Sequence, residues 1–505
     1  MGHFRANRRE SQGLRARAAR LHPIARPFYR SFIAGLTFLL CLGLLLPGAA
    51  AAETAAPAET RNTLVPLLPN GSCAGAKSAT IFGLQVYGSS GRNASYFSTL
   101  QNSGASWVRV PVMWEDIEPN DVTPSQYQWA AVDNALLGAR DACLNLIATI
   151  DHAPGWAAFY PRAPLFAHAY GDFAEFVGAL VERYDGDGVS DSPYGMVVNH
   201  WEFYNEPDLG PQPSGATAWG NAGAQYAQML RTIYPVVKAA NPQAQVVFGG
   251  IAYDFFDVND GPFVQSFLED VLKAGGGDYF DIMNFHYYPA FRKAWYRYEN
   301  SANEGTGLVG KTTAIRELLH QYGLNKPVVI TEAGWHNNDH EELPSSDEDQ
   351  SRYVVQFFAQ SKALDLEFMI WWMLSDPVGE YQYATGLVTD TNPPIAKPAY
   401  KVYQVAAARL GYAEYSGTLT VAETKNEKVE VHRFTDPHTK KVFYVAWLNP
   451  ISANGSTSIS LSGETARVYD KIGILIATKQ DAEDGANDGK VTVQVGGSPV
   501  YIVIN

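Results

Sequence analysis

Short β-branched or apolar runs recur along the chain at Thr80–Val86, Trp107–Val112, Asn145–Ile150, Val197–Phe203, Gln245–Gly250, Tyr279–His286, Val328–Thr331 and Phe368–Leu374. Between them lie segments whose apolar residues return at helical spacing, among them Trp129–Arg140, Tyr170–Tyr184, Gln225–Ala240, Pro262–Ala274, Lys311–Tyr322 and Gln350–Leu364. Strands alternating with helices eight times over about 330 residues predict an α/β chain built as a (β/α)₈ TIM barrel rather than a doubly wound sheet. Neither a Gly-rich phosphate loop nor a dinucleotide fingerprint follows the first run. Pro398–Arg409 predicts the last barrel helix. From about Gly411 the texture changes to short alternating strands with polar turns: Ser416–Val421, Lys428–Phe434, Val442–Trp447, Thr457–Leu461, Lys490–Val495 and Val500–Ile504. This predicts a C-terminal β-sandwich domain over 411–505 behind a catalytic barrel over 63–410. The sandwich reads as a structural partner on the barrel flank, with carbohydrate binding as the other role.

Residues 1–52 read as targeting sequence rather than fold. An Arg-rich region to Arg30 precedes the apolar run Phe32–Leu46, and Pro47-Gly48-Ala49-Ala50-Ala51-Ala52 supplies small residues of the cleavage-site kind. The run is short for a spanning helix, so a cleaved signal peptide is expected, with an uncleaved N-terminal anchor as the alternative and the only route to a membrane. A Thr/Ala/Pro-rich linker follows, at about residues 53–62. The protein is therefore expected to be secreted or held in the cell envelope.

Composition sharpens this in two places. The chain carries a net charge of −14, yet eight of its 38 basic side chains and only one of its 52 acids lie in residues 1–52. The folded part is thus more acidic than the total, which argues against nucleic acid and anionic membrane surfaces as partners. Export leaves Cys73 and Cys143, one before the first strand and one opening the third, as a candidate disulfide in an oxidising compartment. Aromatic residues make up 12% of the chain, serving either the core or stacking platforms for sugars.

The chemistry gathers at strand ends. Trp201-Glu202-Phe203-Tyr204-Asn205-Glu206-Pro207-Asp208 reads as a strand running into a turn that presents Glu206 beside an amide. Val328-Val329-Ile330-Thr331-Glu332-Ala333-Gly334-Trp335 ends in a second carboxylate. Counted along the barrel, Glu206 tips the fourth strand and Glu332 the seventh, two positions facing each other across the mouth where barrel sites are built. Two carboxylates about 5–5.5 Å apart suit a retaining glycosidase, one as acid/base and one as nucleophile, with no cofactor needed for catalysis. Arg109 on the second strand is placed to orient Glu332, or else to form a barrel-lining salt bridge. Asn205 is placed to bond a sugar 2-hydroxyl. On the sixth strand, alternation sends His286 and Tyr288 to one side, where they can position the two carboxylates, a satisfied core histidine being the alternative for His286.

Trp114, Trp156, Trp335, Trp371 and Trp372 lie at or just past strand ends, each serving the core or a subsite. Trp114, Trp156, Trp335 and Trp372, with His152 at the third strand's tip, are the candidate substrate contacts. The loops Ala290–Gly305 and His336–Asp349 are long; the basic Arg292, Lys293 and Arg297 of the first suit either a solvated loop or an anionic sugar. Asp185-Gly186-Asp187-Gly188-Val189-Ser190-Asp191 resembles part of a calcium loop, making Asp185, Asp187 and Asp191 candidate ligands of a structural calcium ion; it lacks the closing Glu of the full pattern, and a solvated acidic turn is the alternative.

Together, Trp-Glu-Phe-Tyr-Asn-Glu-Pro on strand four, Thr-Glu-Ala-Gly-Trp on strand seven, the strand-two Arg and the strand-six His-x-Tyr resemble a clan A retaining glycoside hydrolase. The resemblance spans about residues 80–505 and is greatest to family 39 and its bacterial relatives, β-xylosidases and exopolysaccharide endoglycosidases among them, with family 5, including cellulases and mannanases, next. It implies Asn205 and Glu206 as the acid/base pair, Glu332 as nucleophile, and Arg109, His286 and Tyr288 as helpers. Tyr204 stands where many family 39 members have Trp, and the residues after Glu332 differ from those of the xylosidases, against that specificity. The expected activity is hydrolysis of O-glycosidic bonds in a polysaccharide or oligosaccharide. The alternatives are a family 5-like endoglucanase or mannanase, a glycan-binding protein without turnover, and a structural cell-surface protein.

Overall fold

The computed structural model describes residues 80–86, 94–212, 217–296, 304–341, 343–377 and 383–505. The N-terminal segment through residue 52, the linker at 53–62, Cys73 and Arg297 lie outside these residues.

Eight parallel strands form the barrel: β1 (Phe82–Gln85), β2 (Trp107–Met113), β3 (Asn145–Asp151), β4 (His200–Phe203), β5 (Gln245–Val247), β6 (Met283–Tyr287), β7 (Val328–Ala333) and β8 (Met369–Trp371). Their hydrogen-bonded order is β5-β4-β3-β2-β1-β8-β7-β6. Isolated parallel bridges Val247–Ile282 and Ile251–Phe285 join the two ends of that order. Helices cover the outside, including Ala130–Asp141, Ala169–Glu182, Gly223–Ala240, Leu308–Gln321, Asp347–Ala363 and Pro398–Leu410.

The inside of the barrel is built in layers, because inward side chains recur every second residue along each strand. The lower layer is apolar: Trp107, Ile147, Val247, Ile282, Val329 and Ile370 pack as one cluster, with Phe368 stacked on Trp107 at 4.2 Å. Two residues beyond Trp107, Ile147, Ile282 and Val329 the inward side chains become polar, Arg109, Thr149, Asn284 and Thr331, and Gln85 of β1 and Glu202 of β4 join them, all buried. That polar layer is the floor of the candidate site.

The C-terminal strands are β9 (Glu414–Thr418), β10 (Val429–Thr435), β11 (Val442–Leu448), β12 (Ser456–Ser462), β13 (Thr465–Tyr469), β14 (Leu475–Gln480), β15 (Lys490–Gly496) and β16 (Val500–Ile504). They form a six-stranded sheet, β14-β13-β16-β11-β10-β9, and the pair β12-β15. Val431, Ala446 and Ile502 of the large sheet share a cluster with Ile459, Leu461, Val491 and Val493 of the small one. Phe434, Phe443, Val445, Trp447 and Tyr501, on the large sheet's other face, join the barrel's own core cluster. Polar contacts tie the seam: Gln360 Nε2 donates to Glu430 Oε1 at 2.8 Å, and Lys471 pairs with Glu348 at 2.7 Å.

Two details differ from the sequence expectation. Strands β13 and β14 are additional, and β14 is an edge strand with Leu475 and Ile476 exposed, so it carries no clean inside–outside alternation. The strand expected to run to Val421 stops at Thr418. Thr420 and Glu423 form a capping box that starts a short helix, Val421–Thr424, instead. Among the described residues, no helix is long and apolar enough to cross a membrane.

Candidate active site

The turn after β4 holds the acidic residue in a strained backbone. Tyr204 and Glu206 have φ of 65° and 46°, in the left-handed region that non-glycine residues adopt at an energetic cost. The Glu206 N–H donates to the Gly250 carbonyl at 3.0 Å, anchoring the turn to the chain beyond β5. Gly250 must lack a side chain: a Cβ there would lie 2.2 Å from His286 Nε2 and 2.9 Å from Thr331 Oγ1.

Arg109 organises the floor. Its Nε donates to Glu202 Oε2 at 2.7 Å and its Nη2 to Glu202 Oε1 at 3.0 Å, a forked pair. Nη1 donates to Glu332 Oε1 at 2.7 Å and Nη2 to Asn205 Oδ1 at 2.7 Å. Burial works against the guanidinium's charge, but the carboxylates of Glu202 and Glu332 outweigh it and raise its pKa. Glu202 is fully buried and also accepts from Thr149, the Gly250 N–H, Asn284 and Thr331.

Glu206, His286 and Glu332 converge above this floor, with ligating atoms of all three within 4.8 Å of one another. His286 Nδ1 lies 3.2 Å from Glu206 Oε1 and 3.7 Å from Glu332 Oε2. Tyr288 donates its hydroxyl to Glu332 Oε2 at 3.0 Å. Burial, then the charges of Glu332 and Asp208, hold the Glu206 carboxyl well above the usual carboxylate range. Burial raises Glu332 as well, but there the Arg109 guanidinium and the Tyr288 hydroxyl oppose it. The arrangement therefore offers a carboxyl biased toward its acid form facing a second one held by a guanidinium and a hydroxyl, the asymmetry that suits protonating a leaving oxygen while attacking the carbon beside it.

The Asn205 side chain is held by Arg109 through its oxygen, while its buried Nδ2 has no partner among the described residues. A buried donor left open at the rim of two carboxylates is positioned for a ligand hydroxyl.

The structure places the remaining expected contacts differently. Trp114 is 1% exposed, packed among Phe173, Phe176 and Trp156, with its indole N–H on Glu118. It opens the short helix Trp114–Ile117, which turns the ring into the core. Trp335 is buried against Tyr353, and Trp371 is a core residue. Trp372 is fully buried and edge-on to Tyr288, reaching the site through that ring rather than offering an open face. Of these five, Trp156 alone keeps part of its surface. His152 is mostly buried with its Nδ1 3.3 Å from Asp151, which Arg162 also holds at 2.8 Å. Beyond β6, Arg292 is half-buried with its guanidinium folded onto the Pro289 carbonyl.

Cys143 is disulfide-bonded; its expected partner, Cys73, lies outside the described residues. Asp185, Asp187 and Asp191 do converge, with oxygens within 4.8 Å. They sit between helix Ala169–Glu182 and β4, on the face opposite the site, and accept from the N–H groups of their own turn.

Sequence reading missed Glu202, Thr149, Asn284 and Thr331, the polar layer beneath the two carboxylates. It also missed a second buried network: Lys311 Nζ donates to Asp254 at 2.7 Å and to the His286 carbonyl at 2.9 Å, while Asp208 accepts from the Ala252 and Tyr253 N–H groups. For Thr149, Asn284 and Thr331 the available signal was the two-residue spacing from Ile147, Ile282 and Val329 of the apolar inner layer.

The family model described as cellulase (glycosyl hydrolase family 5) matches residues 72–376. The chain belongs to glycosyl hydrolase family 5. It is thus a clan A glycoside hydrolase, an enzyme of a retaining clan, and its family is the one the motifs placed second. In fold it resembles a family 39 glycoside hydrolase from Bacteroides cellulosilyticus WH2, at 18% identity and TM-score 0.61, covering 85% of this chain and 81% of that one. It also resembles the catalytic domain of family 30 xylanase C from Talaromyces cellulolyticus (17% identity, TM-score 0.54, 84% and 97% covered) and a glucosidase from Croceicoccus marinus (14% identity, TM-score 0.55, 90% and 98% covered). No curated protein matches the chain.

Proposed function

We propose that this family 5 enzyme is an exported retaining β-glycosidase acting on a polysaccharide or oligosaccharide, with Glu206 as acid/base and Glu332 as nucleophile. The observation that carries the reading is the asymmetry of two buried carboxylates in one site: Arg109 and Tyr288 donate to Glu332, while Glu206 faces His286 and no cation among the described residues donates to it. In the first step the Glu332 carboxylate attacks C1 as Glu206 gives its proton to the glycosidic oxygen, breaking the C1–O bond and leaving a glycosyl ester on Glu332. In the second, water attacks C1, its proton passes to the Glu206 carboxylate, and Glu332 leaves as the anion. Asn205 Nδ2 would bond the sugar's 2-hydroxyl. Export is supported by the Arg-rich segment, apolar run and Ala-rich stretch of residues 1–52.

The test is intact-protein mass after incubation with 2-deoxy-2-fluoro-β-glycosyl fluorides of glucose, xylose and mannose, followed by peptide mapping. An adduct on Glu332 is expected, and the sugar that labels identifies the subsite preference. An adduct on a different residue would overturn the assignment. Glycan binding without adduct or cleavage would favour a binding protein on the same fold.

A further inference from the structure

Thr331 precedes Glu332 on β7 and is fully buried in the polar layer. Its hydroxyl oxygen has four polar contacts: Glu202 Oε1 at 2.9 Å, Asn284 Nδ2 at 2.9 Å, Asn284 Oδ1 at 3.1 Å and His286 Nε2 at 3.1 Å. One hydroxyl gives one proton and accepts through two lone pairs. Asn284 Nδ2 is only a donor and takes one lone pair. The Thr331 proton goes to Glu202, the nearest acceptor and the one that is anionic, because charge-assisted bonds are the stronger. The remaining lone pair faces His286 Nε2, so Nε2 is the ring nitrogen that carries hydrogen. Backbone at Gly250 packs against this contact, and His286 is 1% exposed.

A neutral imidazole with hydrogen on Nε2 has a bare lone pair on Nδ1. That lone pair points into the gap between the two carboxyls, nearer to Glu206 than to Glu332. Facing an ionised Glu206 it would be repulsive; facing a protonated one it accepts a hydrogen bond. The ring is kept neutral by burial and by the positive charges of Arg109 on β2, Lys311 on helix Leu308–Gln321 and Arg162 beyond β3.

We propose that Thr331 is a positioning residue that holds His286 as the Nε2–H tautomer, so that Nδ1 accepts the hydrogen bond through which Glu206 keeps its proton for the leaving oxygen. The inference rests on the reading of Glu206 as the acid. Thr331→Val is nearly the same shape and has no acceptor for Nε2–H. Its His286 reverts to the Nδ1–H tautomer, which donates to the carboxylates and favours ionised Glu206. The basic limb of the kcat/KM profile then moves toward acid by about one pH unit, the worth of one exchanged hydrogen bond. Thr331→Ser keeps the acceptor and the wild-type profile.

The experiment is ¹⁵N NMR of histidine-labelled full-length protein, with His286 assigned by its loss in His286→Gln. Hydrogen on Nε2 in wild type and Thr331→Ser, with hydrogen on Nδ1 in Thr331→Val, supports the proposal. Hydrogen on Nδ1 in wild type overturns it, whatever the activity, and so does an unchanged tautomer in folded Thr331→Val. If the tautomers are as expected but no glycoside is cleaved, the acid role of Glu206 falls and the tautomer assignment stands.

Discussion

Removing Arg109 tests the logic of the floor most directly. Arg109→Met keeps much of the apolar stem and deletes every N–H donor. Glu202 then loses contacts of 2.7 and 3.0 Å, Glu332 one of 2.7 Å and Asn205 one of 2.7 Å. Two buried carboxylates are left without the cation that joined them. Breaking a buried ion pair by removing one partner costs about 3–5 kcal/mol. With unfolding entropy near 2.1 cal/mol/K per residue, that lowers the midpoint of a barrel of roughly 350 residues by about 4–7 °C. Burial already holds the Glu332 carboxyl above the usual carboxylate range, and without the guanidinium that opposed it the folded-state pKa rises further above the unfolded one. The stability this carboxyl contributes is present at low pH and lost as pH rises through the raised value. The deficit should therefore be larger at pH 8 than at pH 5, measured by calorimetry of both proteins. Activity falls too: one charge-assisted bond to Glu332 is worth ~1.5–3 kcal/mol, about 10–10² in rate. Arg109→Lys separates charge from geometry. A single ammonium cannot reach Glu202, Glu332 and Asn205 as the fork does, so stability returns in part and activity does not. An Arg109→Met protein with the wild-type midpoint at pH 8 would refute this account of the floor.

Three further outcomes follow from named contacts. Asn205→Ala should lower kcat/KM by about 10-fold or more on a substrate bearing a 2-hydroxyl and change it little on the 2-deoxy analogue, because the partnerless Nδ2 acts through that hydroxyl. Burial pushes His200 down to about 4, so the folded state binds fewer protons than the unfolded state between about pH 4 and 6.5 and stability falls as pH drops through that window; His200→Gln should reduce the pH 7-to-4 loss in unfolding free energy by about 3 kcal/mol, read from urea melts. A chain ending at residue 410 uncovers the barrel core where Phe434, Trp447 and Tyr501 join it and cuts the Gln360–Glu430 contact; size-exclusion chromatography should show aggregate rather than a monodisperse barrel.

What the sequence revealed and what it hid divide along a physical line. Glu206 and Glu332 were legible because a strand's end is marked by its own turn residues, and a carboxylate there has few structural uses. His286 and Tyr288 were legible because alternation on one strand needs no knowledge of its neighbours. Glu202 stood in the same motif yet went unread. Its role depends on which face of β4 points inward and on the register that sets Thr149 opposite it and Gln85 opposite Arg109. That is information shared among strands, not held in one. Core and subsite could not be told apart for the tryptophans, for a related reason. Position along the chain gives nearness to the barrel mouth but not the turn of the ring. The helix at Trp114 and the edge-on packing of Trp372 decide that only after folding.

The same register explains why three carboxylates serve better than two. A lone Arg109–Glu332 pair would neutralise the carboxylate proposed as nucleophile. Glu202 takes the forked side of the guanidinium, so one positive charge is divided between two anions. With Glu206 as the proposed acid and His286 neutral, the floor retains an excess of negative charge beneath the carbon that this mechanism makes reactive. That carbon becomes cationic as the glycosidic bond breaks, and a buried, fixed anion beneath it stabilises that charge without reorganising. Arg162 and Lys311 leave this balance nearly intact, because each is paired with its own carboxylate, Asp151 and Asp254. On this view Glu202 sets the charge of the site without touching the sugar. Replacing it with Gln should therefore slow formation of the glycosyl-enzyme more than it weakens ground-state binding, a separation that pre-steady-state kinetics resolves.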